Sequence, residues 1–203
     1  AAAPPARGRG HCLVELVVGA AQERGDQLSE QEIVATCVLL LFAGHETTRN
    51  LLANGVKLLL THPQQWHQLR ADATLATGAT EEVLRIEGPI KAMWRLSAEA
   101  TTYQDITIDA GQRVLLLQAA ANRDPRRFDE PDSFDIRRTE NRHVGFGYSL
   151  HYCLGAAVAR LEGTLGFQAV AEHLSDLELA TDQFEYQPVV ISRTLTTLPV
   201  RRK

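Results

Sequence analysis

Between Ile33 and Ala43 only Thr36 interrupts an apolar run, after which apolar residues thin into a spaced pattern reaching about Thr61. Ser29 and Glu32 stand just before it as an S-x-x-E capping box, and Pro63 follows it. The pattern therefore predicts one helix from Ser29 to about Thr61, about 48 Å long at 1.5 Å per residue. Its first half (Ile33, Val34, Cys37, Val38, Leu39, Leu40, Leu41, Phe42) is apolar on every face. Such a helix requires protein all round it, and the remaining residues are expected not to wrap it completely.

The rest of the chain is patterned more weakly. Residues 11–23 read as a short amphipathic helix, after a flexible Ala-, Pro-, Gly- and Arg-rich end over residues 1–10. Gln64 to Ala71 and Thr80 to Glu87 read as helices, the second stopped by Gly88-Pro89. Lys91 to Leu96 is a candidate strand. Thr107-Ile108 and Val114 to Leu117 flank an Asp-Ala-Gly turn and read as a hairpin. Residues 124–145 carry charges and two prolines without a period, the mark of a long and often functional loop. A helix is expected from Cys153 to about His173, then weak strands over 188–200. No internal repeat is visible.

Composition is that of a globular chain: 203 residues, 44% apolar, 23% charged, net charge −4. No basic stripe interleaved with aromatics points to nucleic acid. No apolar run reaches the roughly 20 residues of a membrane span. Arg7 and Arg9 precede the apolar run Leu13 to Ala21, but Glu15 interrupts it, against a signal peptide. Cys12, Cys37 and Cys153 form neither a metal-type pair nor a disulfide framework, so a reducing, cytoplasmic setting is expected.

Three groups of residues carry candidate chemistry. Cys153 follows a glycine-bearing loop at the start of a helix, where unpaired amides and the helix dipole favour a thiolate, the form that ligates metal. Gly147 and Gly155 would let backbone pass close to a flat cofactor. A small buried hydrophobe fits the same position. In Ala43-Gly44-His45-Glu46-Thr47-Thr48 an apolar helix abruptly carries an acid and two hydroxyls. Adjacent helical residues diverge, so Glu46 and Thr47 suit a relay between two compartments. A helix merely turning amphipathic, with Arg49 and Asn50, fits too. Glu82 and Arg85, three apart on a helix, are placed for an ion pair, which by itself signals little.

Taken together, these segments resemble the cytochrome P450 superfamily. Phe146-Gly147-Tyr148-Ser149-Leu150-His151-Tyr152-Cys153-Leu154-Gly155 is similar to its heme signature F-G-x-G-x-H-x-C-x-G, and Ala156 to Glu162 continue in the bacterial style. Ala43 to Thr48 resemble A-G-x-[DE]-T-T, and Glu82 to Arg85 the ExxR helix. Ala121 to Pro125 and Leu198 to Arg201 also fit, in order. The resemblance implies a mainly α fold with small β-sheets, the C-terminal part of one cytochrome P450 domain over residues 1–203, its N-terminal half absent. It implies heme b (iron protoporphyrin IX), with Cys153 as the proximal thiolate on the iron. Arg95 and His151 would lie near the propionates, Phe146 beside the sulfur, and Gly147 and Gly155 in the cofactor loop. Thr47 would contact dioxygen and Glu46 feed protons. The activity implied is bacterial-type monooxygenation of a small organic substrate, with electrons from a ferredoxin and its reductase, and no nucleic acid or membrane partner. Arg126, Arg127, Arg137, Arg138 and Arg142 would serve as a docking face for the ferredoxin or as a solvated charged loop.

Two positions depart from the family. Ser149 replaces a usual Gly and is expected to strain the loop. Ser133 stands where an Arg often completes the Glu82–Arg85 network, which is expected to be incomplete. The alternative to an enzyme is a truncated, inactive fragment acting at most as an interaction module. A peroxide-driven heme enzyme is a further alternative, against which the acid–alcohol pair argues.

Overall fold

The computed structural model describes residues 28–203 together with Cys12, Glu15 and Gly19. The expected flexible end, and the 11–23 helix apart from those three residues, lie outside the described residues. Helix α1 spans Glu30–Thr61. Its start is built as the capping box requires: Glu32 N–H donates to Ser29 Oγ at 3.2 Å and Ser29 N–H to Glu32 Oε2 at 2.8 Å. The apolar first half is open, with Val34, Val38, Leu39, Leu41 and Phe42 all exposed, Leu41 at 75%. The chain divides into two units between His45 and Glu46. The second unit, Glu46–Lys203, holds the core and all the strands among the described residues.

Helix α2 (Pro63–Ala71) and helix α3 (Ala76–Glu87) come after α1, α3 starting four residues ahead of its expected beginning. Further along come the one-turn α4 (Gln118–Ala121) and α5 (Ala156–His173). The core is where these helices meet: Leu51, Leu58 and Leu59 of α1, Trp66 and Leu69 of α2, Val83, Leu84 and Ile86 of α3, and Phe167 and Ala171 of α5. Phe134 and Ile136 seal it from the irregular segment. Gly55 makes one crossing feasible, since a Cβ there would stand 2.2 Å from Phe167 Cζ.

Three antiparallel pairs flank the helices. Strand β1 (Met93–Leu96) pairs with β4 (Arg113–Leu116), Met93 opposite Leu116; β2 (Thr101–Tyr103) pairs with β3 (Ile106–Ile108); β5 (Leu177–Leu179) pairs with β6 (Val200–Arg202). The expected hairpin across Asp109-Ala110-Gly111 is thus corrected: β3 and β4 have different partners. The tight turn is instead at Gln104-Asp105, with Gln104 at φ 52°, and lacks the Asn-Gly chemistry that normally announces such a turn. Over 188–199 only isolated bridges form, Ile90 to Ser192 and Tyr186 to Leu195, and β6 begins at Val200. From Asn122 to Tyr148 there is neither helix nor strand, as the aperiodic segment implied. Among the described residues no helix is long and apolar enough to cross a membrane.

Candidate functional site

The cysteine loop is held by its own backbone. Gly147 N–H donates to Val144 O at 2.9 Å, Cys153 N–H to Phe146 O at 2.9 Å, and Ala156 N–H to Cys153 O at 3.2 Å as α5 begins. Gly147 sits at φ 76°, and a Cβ there would stand 3.2 Å from His151 O. Ser149, as the departure from Gly implied, is forced into the left-handed region at φ 57°, a conformation costly for a residue with a Cβ. A short 3-10 turn, Ser149–His151, then delivers the chain to the cysteine. Cys153 is exposed, and all three cysteines are free.

These residues fit a heme. Cys153 lies among exposed apolar neighbours, Leu150 at 91% and Leu154 at 90%, and a Cβ on Gly155 would meet nothing within 4 Å. That leaves an open apolar face beside one thiol. Among the described residues no group of three His, Cys, Asp or Glu could hold a bare ion. One thiolate is the complement of an iron that would bring its other ligands with a macrocycle.

Glu82 and Arg85 form an ion pair buried in the core, both side chains at 0% exposure. Arg85 Nε and Nη2 donate to Glu82 Oε2 and Oε1 at 2.8 and 2.7 Å. The remaining donors reach Asn122 O, Pro131 O and Ser133 O at 3.0, 2.6 and 3.0 Å, so all five guanidinium hydrogens are used. The network is not left short by Ser133. Arg138, five residues on, donates from Nε to Glu82 Oε1 at 3.2 Å, and Asn141 and the Asp135 amide add donors at 3.0 and 3.1 Å. Arg138 is thereby removed from the expected docking face, its side chain 12% exposed.

The neighbouring Glu81 was not singled out by sequence. Burial alone would raise its pKa, but hydrogen bonds from His143 and Arg160 and the Arg160 charge outweigh burial and hold it at about 2.

Glu46 and Thr47 are half-buried on α1. Glu46 has a partner the sequence did not disclose: Thr194, fully buried, donates from Oγ1 to Glu46 Oε1 at 3.3 Å. Asn50 Nδ2 donates to Thr194 Oγ1 at 2.8 Å, with Ser192 Oγ at 3.3 Å. An amide nitrogen only donates, which leaves the threonine's hydrogen for the carboxylate. Arg95 lies in β1 opposite Val114 and donates to Trp94 O at 2.8 Å. Phe146, Gly147, His151, Cys153 and Gly155 share one loop; Glu46, Arg95 and Cys153 share no hydrogen bond with one another among the described residues.

A mainly helical core around a buried Glu–Arg pair, with a glycine loop leading to an open cysteine, is the architecture of a partial cytochrome P450 domain. A family model for Cytochrome P450 matches residues 11–190, and the chain belongs to that family. It is 43% identical over 195 residues to the cytochrome P450 monooxygenase PikC of Streptomyces venezuelae, covering 95% of this chain and 47% of that protein. It is 44% identical over 191 residues to the vitamin D(3) 25-hydroxylase of Pseudonocardia autotrophica, covering 93% and 47%. Among solved structures, Mycobacterium smegmatis CYP164A2 with econazole bound superposes with a TM-score of 0.86 at 42% identity, covering 94% of this chain and 47% of that one. The chain thus spans about half the length of the curated relatives it matches. Family membership implies a heme cofactor.

Proposed function

We propose that this segment is the C-terminal portion of a cytochrome P450 monooxygenase domain and supplies the thiolate side of its heme b site. The observation that carries the reading is the exposed Cys153 thiol, set in a backbone-bonded loop at the start of α5 amid open apolar surface. Bound there, heme supplies dioxygen activation, with two electrons from a redox partner and one oxygen atom inserted into a small organic substrate. The Cys153 thiolate would hold the iron and supply electron density to it. Arg95 and His151 offer N–H donors to the propionates. Phe146 stiffens the loop, and Gly147 and Gly155 keep it free of side chains. Glu46 takes up and releases a proton at its carboxyl and Thr47 passes it on at its hydroxyl, ordinary general-acid work. Arg126, Arg127, Arg137 and Arg142 are exposed and form the face offered to an acidic ferredoxin in the cytoplasm.

The test is the reduced carbon monoxide spectrum of the full-length protein carrying this segment. A thiolate-type Soret band that Cys153→Ala abolishes is the expected result; a band unaffected by that change refutes the assignment. A second reading, an inactive interaction module, draws on the open apolar residues of α1. The 203-residue chain failing to take up stoichiometric heme would favour it.

A further inference from the structure

Glu81 and Glu82 are adjacent on α3 and serve different segments, as neighbouring helical side chains diverge. Glu82 holds the irregular segment. Glu81 Oε1 accepts from Arg160 Nε at 2.7 Å, and its Oε2 accepts from Arg160 Nη2 at 3.2 Å and from His143 Nε2 at 3.0 Å. Gly145 N–H donates to His143 Nδ1 at 3.0 Å, so the neutral ring carries its hydrogen on Nε2, toward Glu81. The His143 side chain is 2% exposed, which leaves it no other solvent-side choice. Arg160 then reaches the two residues that frame the cysteine. Its Nη1 donates to the Tyr152 hydroxyl at 2.9 Å, and its guanidinium lies over the Phe146 ring, 4.5 Å from the centroid. Tyr152 precedes Cys153 in the chain, and Phe146 O is the acceptor for the Cys153 N–H.

One carboxylate on a core helix therefore grips both ends of the loop, at residues 143 and 160, and through Arg160 touches both supports of the sulfur-bearing residue. We propose that Glu81 is the positioning residue of the cysteine loop: through Arg160 and His143 it sets where the loop presents the Cys153 sulfur to the heme iron. The proposal rests on the reading of Cys153 as iron ligand. Glu81 touches neither cofactor nor substrate; it acts on the cysteine at one remove, by denying the loop alternative placements.

The experiment uses the heme-loaded full-length protein and five variants, Glu81→Asp and Cys153→Ala as controls and three that probe the network. Glu81→Gln removes the charge at nearly constant volume, Arg160→Lys removes the two-pronged fork, and Tyr152→Phe deletes a single hydroxyl contact while sparing the ion pair. Two readouts are taken well below the melting transition: the fraction of the reduced carbon monoxide complex with a thiolate-type Soret band, and the heme midpoint potential. Melting temperature is recorded alongside. Glu81→Gln and Arg160→Lys are expected to raise the fraction lacking thiolate ligation several-fold and to displace the potential. Glu81→Asp should recover part of the loss. Variants that melt earlier yet keep the parent spectrum and potential would overturn the proposal, leaving Glu81 a stability residue. Should Glu81→Gln and Arg160→Lys not fold, Tyr152→Phe decides: a displaced potential supports the proposal and an unchanged one overturns it. Cys153→Ala separates the two levels of inference. If it retains the thiolate-type band, the ligand assignment has failed and the Glu81 role falls with it; if it loses the band, the variants judge Glu81 alone.

Discussion

Arg138 Nε lies 3.2 Å from Glu82 Oε1 and its Nη2 3.2 Å from Ser133 O, so one guanidinium joins the buried ion pair to the turn beside it. The contributions of the two arginines on Glu82 should differ. Arg85→Ala strands a fully buried carboxylate and should cost about 3–5 kcal/mol. Arg138→Ala leaves Glu82 with Arg85, Asn141 and the Asp135 amide and should cost about 2 kcal/mol. Denaturant unfolding of both variants checks the order; a larger loss for Arg138→Ala would contradict it.

Glu81 makes stability depend on acidity. Its carboxyl is lowered from 4.5 to about 2 in the folded chain, so it binds protons less readily folded than unfolded. The stabilisation is complete above about 4.5 and is lost as pH falls toward about 2, amounting to at most about 3 kcal/mol. Arg160 and His143 are the charged and titratable side chains that face it. Stability measured across this window should fall less steeply for Glu81→Gln than for the parent.

Thr194 links Asn50 to Glu46 from inside the core. Thr194→Val keeps the shape but leaves the Asn50 amide without its acceptor, and should cost about 1–3 kcal/mol. Thr194→Ser keeps the hydroxyl and loses one methyl, for about 1 kcal/mol. If valine is tolerated better than serine, the hydroxyl bridge is not contributing.

Ser149 holds a left-handed conformation at φ 57°. Ser149→Gly removes the clash of its Cβ and should raise stability by about 1 kcal/mol. An unchanged or lower melting temperature would show that the serine is not strained there.

Gly55→Ala forces a methyl to within 2.2 Å of Phe167 Cζ. The crossing of α1 and α5 must open, at about 1–3 kcal/mol, despite alanine being the better helix former. Calorimetry of the variant reports the sign directly.

What could be read from sequence was what local chemistry dictates. Ser29 and Glu32 announced the start of α1 because a capping box closes within four residues, and Pro63 announced its end. Glu82 and Arg85 were legible for the same reason. Arg138 was not, because an aperiodic loop has no register from which to infer which of its side chains turns inward. The β2–β3 turn was missed because Gln104 adopts a positive φ without glycine or asparagine to signal it. Thr194 was invisible, since nothing near it in the chain hints at a carboxylate 148 residues away. The cysteine loop was the exception among irregular segments, recognised from its motif, with Ser149's backbone strain anticipated from its departure from glycine.

That separation of 148 residues between Glu46 and Thr194 also has a meaning in time. A ribosome adding about 5–20 residues per second makes the acid roughly 7–30 s before it makes the hydroxyl that restrains it. Asn54 meets Glu87 O, 33 residues on, much sooner, but its second acceptor, Arg193 O at 3.1 Å, comes 139 residues later. The second half of α1 therefore emerges with Glu46 and Asn50 still without the Thr194 hydroxyl, and the nascent chain completes this part of its interior only after Thr194 has been made.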